Sequence, residues 1–171
     1  MSSSYSIPTL ETDRLRLRYW DERDFEAYAA LRTDAELQRY VGGPVSKEKA
    51  WEDFCAAPGQ WALRGFGVFL VAEKDSDAAA GFAGLWYPPD IAEPELCWSL
   101  FPGHTGKGYA TEAAAEAKRW ANETLGLPAL MSFVHPENLA SQKVAERLGA
   151  KLVEKTMLRG SPRFFYRHSQ A

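Results

Sequence analysis

The run Pro102-Gly103-His104-Thr105-Gly106-Lys107-Gly108-Tyr109-Ala110-Thr111-Glu112 has the spacing in this chain that is most suggestive of chemistry. Its glycines lead into an alanine-rich stretch, Ala110 to Leu125, whose apolar positions recur at helical intervals, so the loop ends at a helix N-terminus. Amide groups there have no partner inside the helix, and the helix dipole favours negative charge. A phosphate or pyrophosphate can be held at such a place without a cationic side chain. Gly106 and Gly108 would let the backbone wrap an anion at positive φ. The same pattern also describes a plain turn before a helix, and the loop alone leaves both readings open. Two other phosphate loops are excluded: Lys107 is followed by Gly108 where a nucleoside-triphosphate loop needs Ser or Thr, and the glycine order at 103, 106 and 108 reverses the dinucleotide fingerprint.

Other reactive side chains are sparse. Cys55 and Cys97 each lie in an apolar stretch without Cys-x-x-Cys spacing, so they read as reduced packing residues of a cytoplasmic protein, with no metal site. His104, His135 and His168 are the histidines. His135 precedes a proline at a strand end and reads as structural. A net charge of -3 and a sequence pI near 5.7 argue against a nucleic-acid or membrane-surface binder, leaving a small molecule or a protein as partner. Met1–Tyr5 lacks the charged and apolar regions of a signal peptide, and no apolar run is long enough to span a bilayer.

The elements that must position the loop follow in order. Arg14–Tyr19 alternates, placing Leu15, Leu17 and Tyr19 on one strand face and three arginines on a solvated one. Asp21 and Asp24 form a capping pair for a helix presenting Phe25, Tyr28, Ala29 and Arg32. A short helix near Ala35–Tyr40 follows. Ser46 caps a third helix whose stripe of Ala50, Trp51, Phe54 and Cys55 is expected to be core, ending at Pro58-Gly59. Val68–Ala72 and Ala80–Tyr87 read as a strand pair joined by the turn Lys74–Asp77, and Glu95–Leu100 as the third strand of the meander. After the glycine-loop helix come a strand at Leu130–Val134 and an Asn138-capped helix with Ala140, Val144 and Leu148 buried. Strands at Lys151–Leu158 and Phe164–Arg167 close the chain around the turn Gly160–Pro162. With no repeat or linker, residues 1–171 read as a single domain. Its class is α/β, an α+β mixed sheet in which the two late helices impose parallel pairing on an antiparallel meander.

This order resembles the GCN5-related N-acetyltransferase (GNAT) superfamily, in particular its RimJ/RimL-type, ribosomal-protein-alanine acetyltransferase branch. The resemblance covers nearly the whole chain. It rests on Leu10-Glu11-Thr12-Asp13-Arg14-Leu15-Arg16-Leu17-Arg18, on Glu95-Leu96-Cys97-Trp98 leading into Gly106–Ala113, and on His135-Pro136-Glu137-Asn138-Leu139-Ala140-Ser141 with Val144–Gly149. It implies a GNAT fold of about seven strands and about four helices, with a splayed parallel pair in the centre. It also implies acetyl-CoA as acetyl donor, its pyrophosphate on the amides of Thr105, Gly106, Lys107, Gly108, Tyr109, Ala110 and Thr111. The wider superfamily commonly has Arg or Gln at the position of Thr105, so only a backbone role carries over there.

The implied reaction is acetyl transfer to a primary amine by direct attack on the thioester, without a metal. A protein α-amine with pKa near 8 is about one-tenth neutral at pH 7, whereas a lysine amine is neutral about once in 2,500, an extra cost of roughly 3 kcal/mol, so an α-amine can manage with a weak base. The resemblance assigns that base to Glu95 and the hydrogen bond to the departing thiolate to Ser141. It gives the acetyl carbonyl and pantetheine arm to the backbone of Trp98, Ser99 and Leu100 and to Asn138, which capping alone would also explain. Tyr109 lies where it either donates its hydroxyl or packs on the helix start. Tyr40, Phe66, Trp86 and Trp98 are candidates for the acceptor pocket, although aromatics near strand ends are often plain core. A peptide or protein N-terminus is the expected acceptor and a monomer or homodimer the expected state. A small polyamine, an antibiotic amine, a lysine, or a catalytically silent acyl-CoA-binding module are the alternatives.

Overall fold

The computed structural model describes residues 6–127 and 129–169. The reading of Met1–Tyr5 lies outside them. Among the described residues eight strands form a single sheet in the order β1-β2-β3-β4-β5-β6-β8-β7. They are β1 (Leu10–Glu11), β2 (Leu15–Arg18), β3 (Val68–Glu73), β4 (Ala79–Trp86), β5 (Glu95–Leu100), β6 (Leu130–Val134), β7 (Lys151–Leu158) and β8 (Ser161–His168). Five α-helices among the described residues join them: α1 (Phe25–Arg32), α2 (Ala35–Gln38), α3 (Lys47–Arg64), α4 (Tyr109–Leu125) and α5 (Leu139–Arg147). The mixed sheet and its parallel pair agree with the expected class. One strand more than expected is present among the described residues, the two-residue edge piece β1, and the five helices are those read along the chain, one more than the resemblance implies.

The sheet divides the core. On one face Leu15, Leu17, Phe69, Leu85 and Leu96 pack against the alanines of α4. Ala114, Ala117 and Ala121 are fully buried there, and their small side chains let α4 approach the sheet closely. On the other face Trp20, Tyr28, Phe54, Leu70 and Phe101 form a second cluster beneath α1 and α3. Each large apolar side chain buried in this way contributes about 1.5–3 kcal/mol. Paired residues on neighbouring strands share a face, and the β4–β5 register sets Phe82 beside Ser99, Gly84 beside Cys97 and Trp86 beside Glu95. Glu95 and Cys97 therefore project toward the α1–α3 side, while Leu96 and Trp98 project toward α4. Gly81 lets β4 and β5 pair closely, since a Cβ there would lie 2.2 Å from the Ser99 carbonyl oxygen.

Several local expectations fail for tertiary reasons. Helix α3 does not stop at Pro58 but continues to Arg64, with Gly65 in the left-handed conformation as its cap. The lost amide bond is outweighed because the turn after Pro58 is held to the sheet: Trp61 Nε1 donates to the Val68 carbonyl, and the Gln60 amide donates to Leu85 and accepts from Tyr87 N–H. Trp51 and Cys55, expected in the core, are exposed. They flank the stripe of Ala50, Phe54, Ala57 and Trp61 that α3 buries, and Trp51 covers Phe25 edge-on. The β2 alternation breaks at its end. Tyr19 is exposed, whereas Arg18 is buried in a two-pronged ion pair with Asp24 at 2.8 and 3.0 Å. Asp24 also accepts from Asp21 N–H, completing the expected capping box. Ala140 faces solvent, whereas Val144 and Leu148 are buried as expected. Strand β8 begins at Ser161, so Pro162 lies in the strand, opposite Met157.

Candidate active site

The centre of the sheet is a V. Strands β5 and β6 are parallel but meet at one register pair, Glu95 with Met131, and then diverge. Two side chains tie the apex. The Phe133 N–H donates to the Glu95 carboxylate at 3.0 Å, and the Ser132 hydroxyl donates to the Leu96 carbonyl at 2.5 Å. With its proton committed to Leu96, Ser132 accepts from His168 Nε2–H at 2.8 Å. His168 is fully buried, and burial together with Lys118 and Arg167 pushes its pKa down to about 4, so it is a neutral strut. Beyond the apex no strand among the described residues pairs with the β6-facing edge of β5. The V opens toward the carboxyl ends of both strands, where open α/β sheets place ligands.

At that mouth lie a helix start from each strand. Asn138 caps α5 by accepting from Ser141 N–H at 3.1 Å. After β5 the chain turns through the glycine loop into α4, and Gly108, its N-cap, sits at φ 80. The amides of Thr105 through Thr111 meet no acceptor among the described residues. The Thr111 hydroxyl is buried there and also without a partner. These are the unsatisfied donors an anion would complete. The loop is held from the other end of the sequence. Arg14 donates from Nε to Glu112 at 2.8 Å and from Nη1 to the Lys107 carbonyl at 2.9 Å, and the Thr12 hydroxyl donates to Glu112 at 2.6 Å. Arg14 and Thr12 were legible only as a strand-start motif; no spacing in the sequence pointed to this contact.

A cavity of about 200 Å³ occupies the V and brings together Glu95, Trp98, Ser99, Asn138, Ser141 and Tyr40. Six of the expected site residues thus converge. Burial pushes the Glu95 carboxyl up to about 7, against the smaller opposing effects of the Phe133 N–H and of Arg159 and Arg163. A carboxyl poised there can accept a proton at neutral pH. Leu100 does not line this cavity. Phe66, expected at the acceptor pocket, stacks on Tyr87 instead and packs against the α4-side core. Trp98 reaches the cavity from the α4 side, with its ring edge-on to His168. Trp86 lines a second cavity of about 400 Å³. Tyr109 spends its hydroxyl on Glu73 at 3.2 Å, and Arg14 stacks over its ring. His135 Nδ1 accepts from Glu137 N–H, and its ring stacks on Tyr40 in the cavity wall. Arg32, Gln38 and Arg163 also line the cavity. The sequence offers no signal of this role: Arg32 reads as part of the packed face of α1, Gln38 falls in a short helix, and Arg163 falls between the turn Gly160–Pro162 and the strand from Phe164.

The sequence model of the acetyltransferase (GNAT) domain matches residues 14–151, which span the tied loop, the V and α5. The chain belongs to the GNAT acetyltransferase family. It is similar to an acetyltransferase of Agrobacterium tumefaciens, 37% identical, with a TM-score of 0.88 and 99% of each chain covered. The FsC-acetyl coenzyme A-N(2)-transacetylase of Aspergillus fumigatus is 30% identical over 165 residues, covering 86% of this chain and 66% of the fungal one. RimL, the ribosomal L7/L12 alpha-N-protein acetyltransferase solved with coenzyme A, shares the fold at 18% identity with a TM-score of 0.77, over 95% of this chain and 98% of that one. The acetyltransferase resemblance read from the sequence is thereby borne out, and the fold extends to the RimL-type branch. Among the described residues no helix of this N-acetyltransferase is long and apolar enough to cross a membrane.

Proposed function

We propose that this N-acetyltransferase, acting as a single domain over residues 1–171, moves an acetyl group from acetyl-CoA to a primary amine in the cleft between β5 and β6. The observation that carries the reading is the one-pair contact of β5 with β6, which leaves a strand edge free to pair with an extended pantetheine arm. The orphaned amides of Thr105–Thr111 and the Thr111 hydroxyl fit a pyrophosphate in donor type and number. The backbone of Trp98–Leu100 takes the acetyl carbonyl, and Asn138 adds a polar contact to the arm.

In this reading Glu95 accepts the proton that the amine loses as its nitrogen bonds the acetyl carbon. The carbon–sulfur bond breaks while Ser141 donates a hydrogen bond to the departing sulfur, which leaves as the thiolate; the proton taken up by Glu95 is then returned to it, giving CoA thiol and restoring the base. The Phe133 N–H holds Glu95 in place, and burial holds it near neutrality, where base strength and availability are balanced. The acceptor amine enters on the α1–α3 side, because that is the face to which Glu95 projects; an α-amine suits a base of this strength.

Thermal shift against acetyl-CoA, CoA, NAD and ATP tests the donor: stabilisation by the first two is expected, and stabilisation by NAD or ATP alone would overturn it. Thiol release by Glu95→Gln and Ser141→Ala variants tests the roles, which unchanged turnover in both would refute.

A further inference from the structure

The second cavity adjoins the first, with Arg32, Val41, Phe82 and Cys97 lining both. Its volume of about 400 Å³ lies within the range of small-molecule sites. Trp20, Tyr28, Phe82 and Trp86 form its aromatic wall. Trp86 is the register partner of Glu95 and Phe82 lies on the same sheet face, so this wall begins beside the proposed base. An acceptor whose amine reaches Glu95 has next to it a largely aromatic and aliphatic chamber, which Arg32, Asp53 and Arg159 also line.

The charges at the junction are uneven. Arg32 is paired with Asp53 at 2.7 Å, and Arg159 is held by Asp90 through two contacts of 2.7 Å. Arg163 differs. It donates to the Ser161 hydroxyl at 2.7 Å and the Pro162 carbonyl at 2.9 Å, and no carboxylate among the described residues lies within salt-bridge distance. It is half-buried and lines the Glu95 cavity. A half-buried guanidinium with donors to spare is stabilised by an anion from a ligand, and its planar fork matches a carboxylate. A base and an unpaired arginine in one cavity, with an aromatic chamber alongside, describe three attachment points.

We infer that the acceptor is a free amino acid with a large apolar, preferably aromatic, side chain: its α-amine meets Glu95, its α-carboxylate meets Arg163, and its side chain fills the chamber walled by Trp20, Tyr28, Phe82 and Trp86. This assignment rests on the acetyl-transfer reading above. The amine nitrogen bonds the acetyl carbon and gives up one proton, and the thioester carbon–sulfur bond breaks to leave CoA thiol, so no further reactant is needed. A diamine brings a second positive charge among Arg32, Arg159 and Arg163, and Asp53, the carboxylate that lines the chamber, is already paired with Arg32 and Lys49. A peptide N-terminus presents an amide where the carboxylate belongs and leaves the spare donors of Arg163 without an anion to bind.

The test compares kcat/KM for L-phenylalanine, L-tryptophan, glycine, L-phenylalaninamide, the peptide phenylalanyl-glycyl-glycine and putrescine, with acetyl-CoA stabilisation of the fold measured in parallel. The aromatic acids are expected to exceed glycine by at least tenfold, and L-phenylalanine to exceed its amide by about 10- to 100-fold. Arg163→Gln is expected to abolish the acid-over-amide preference through KM while acetyl-CoA stabilises it as it does the parent. A preference for the amide, the peptide or putrescine overturns the acceptor class and leaves acetyl transfer standing. So does acetyl-CoA binding with no turnover of any aromatic acid. Failure of acetyl-CoA to stabilise the parent protein overturns the acetyl-transfer reading itself.

Discussion

Replacing Glu95 by Gln should make the protein more stable as the pH rises, although it removes the proposed base. The carboxyl is held up to about 7 from an ordinary 4.5, chiefly by burial. Below pH 4.5 it is neutral in the folded and unfolded chain alike and contributes nothing to the pH dependence. Between there and about 7 the unfolded chain releases its proton while the folded chain keeps it, so the native state loses stability with each pH unit. Above about 7 the loss is complete. At about 1.4 kcal/mol per unit the whole window is worth about 3 kcal/mol. Glutamine keeps an oxygen to accept from Phe133 N–H and has no charge to desolvate, so the variant escapes this loss. Urea denaturation of both proteins at intervals from pH 4.5 to 8 isolates the effect, because other titrating groups cancel in the difference. That difference should climb by about 3 kcal/mol, or about 6–12 °C in Tm for a chain of this size. In the parent, kcat/KM should rise with pH through about 7, and the variant should lack that limb. A stability difference that stays flat across the window would refute the assignment of Glu95 as a buried, proton-holding group.

Ser141→Ala should lower kcat by about 100-fold while the limb near pH 7 persists, since Glu95 is untouched; steady-state kinetics across pH reads both. Arg14→Ala should raise KM for acetyl-CoA severalfold with kcat nearly unchanged, because it frees the glycine loop without touching the V, and kinetics at varied donor concentration checks this. Gly81→Ala should destabilise by about 3 kcal/mol or more, as the new Cβ meets the Ser99 carbonyl oxygen, and denaturation midpoints will show it.

The sheet, the meander and the helix caps were legible because they are local: alternation at Leu15 and Leu17, Ser46 and Asn138 as caps, alanines at intervals of three and four in α4. Glu95, Ser141 and Asn138 were legible through motifs, and they do converge in one cavity. What escaped was set by contacts distant in sequence. Pro58 reads as a helix stop unless one knows that Gln60 and Trp61 are bonded to β3 and β4. Arg18 reads as solvated unless Asp24 is seen folding back onto it. Arg163 sits in a strand whose alternation says nothing of a neighbour on β5, and the Arg14–Glu112 tie joins residues from opposite halves of the chain. Phe66 differs in kind: an aromatic near a strand end suits a pocket wall or plain core, and its ring stacks on Tyr87 and packs against the core.

The sheet order bears on how the enzyme is made. β8 follows β7 in the sequence but lies between β6 and β7, so β7 has no neighbour until β8 has been synthesised. The same late strand brings His168 to Ser132, and with it the strut beneath the V. A nascent chain that has reached only Leu158 therefore has two open strand edges and an unbraced cleft. Completion of β8 closes those edges and braces the cleft in one step, so chains cut short in β8 should accumulate as insoluble protein rather than as weak enzyme, which fractionation of truncated chains would check.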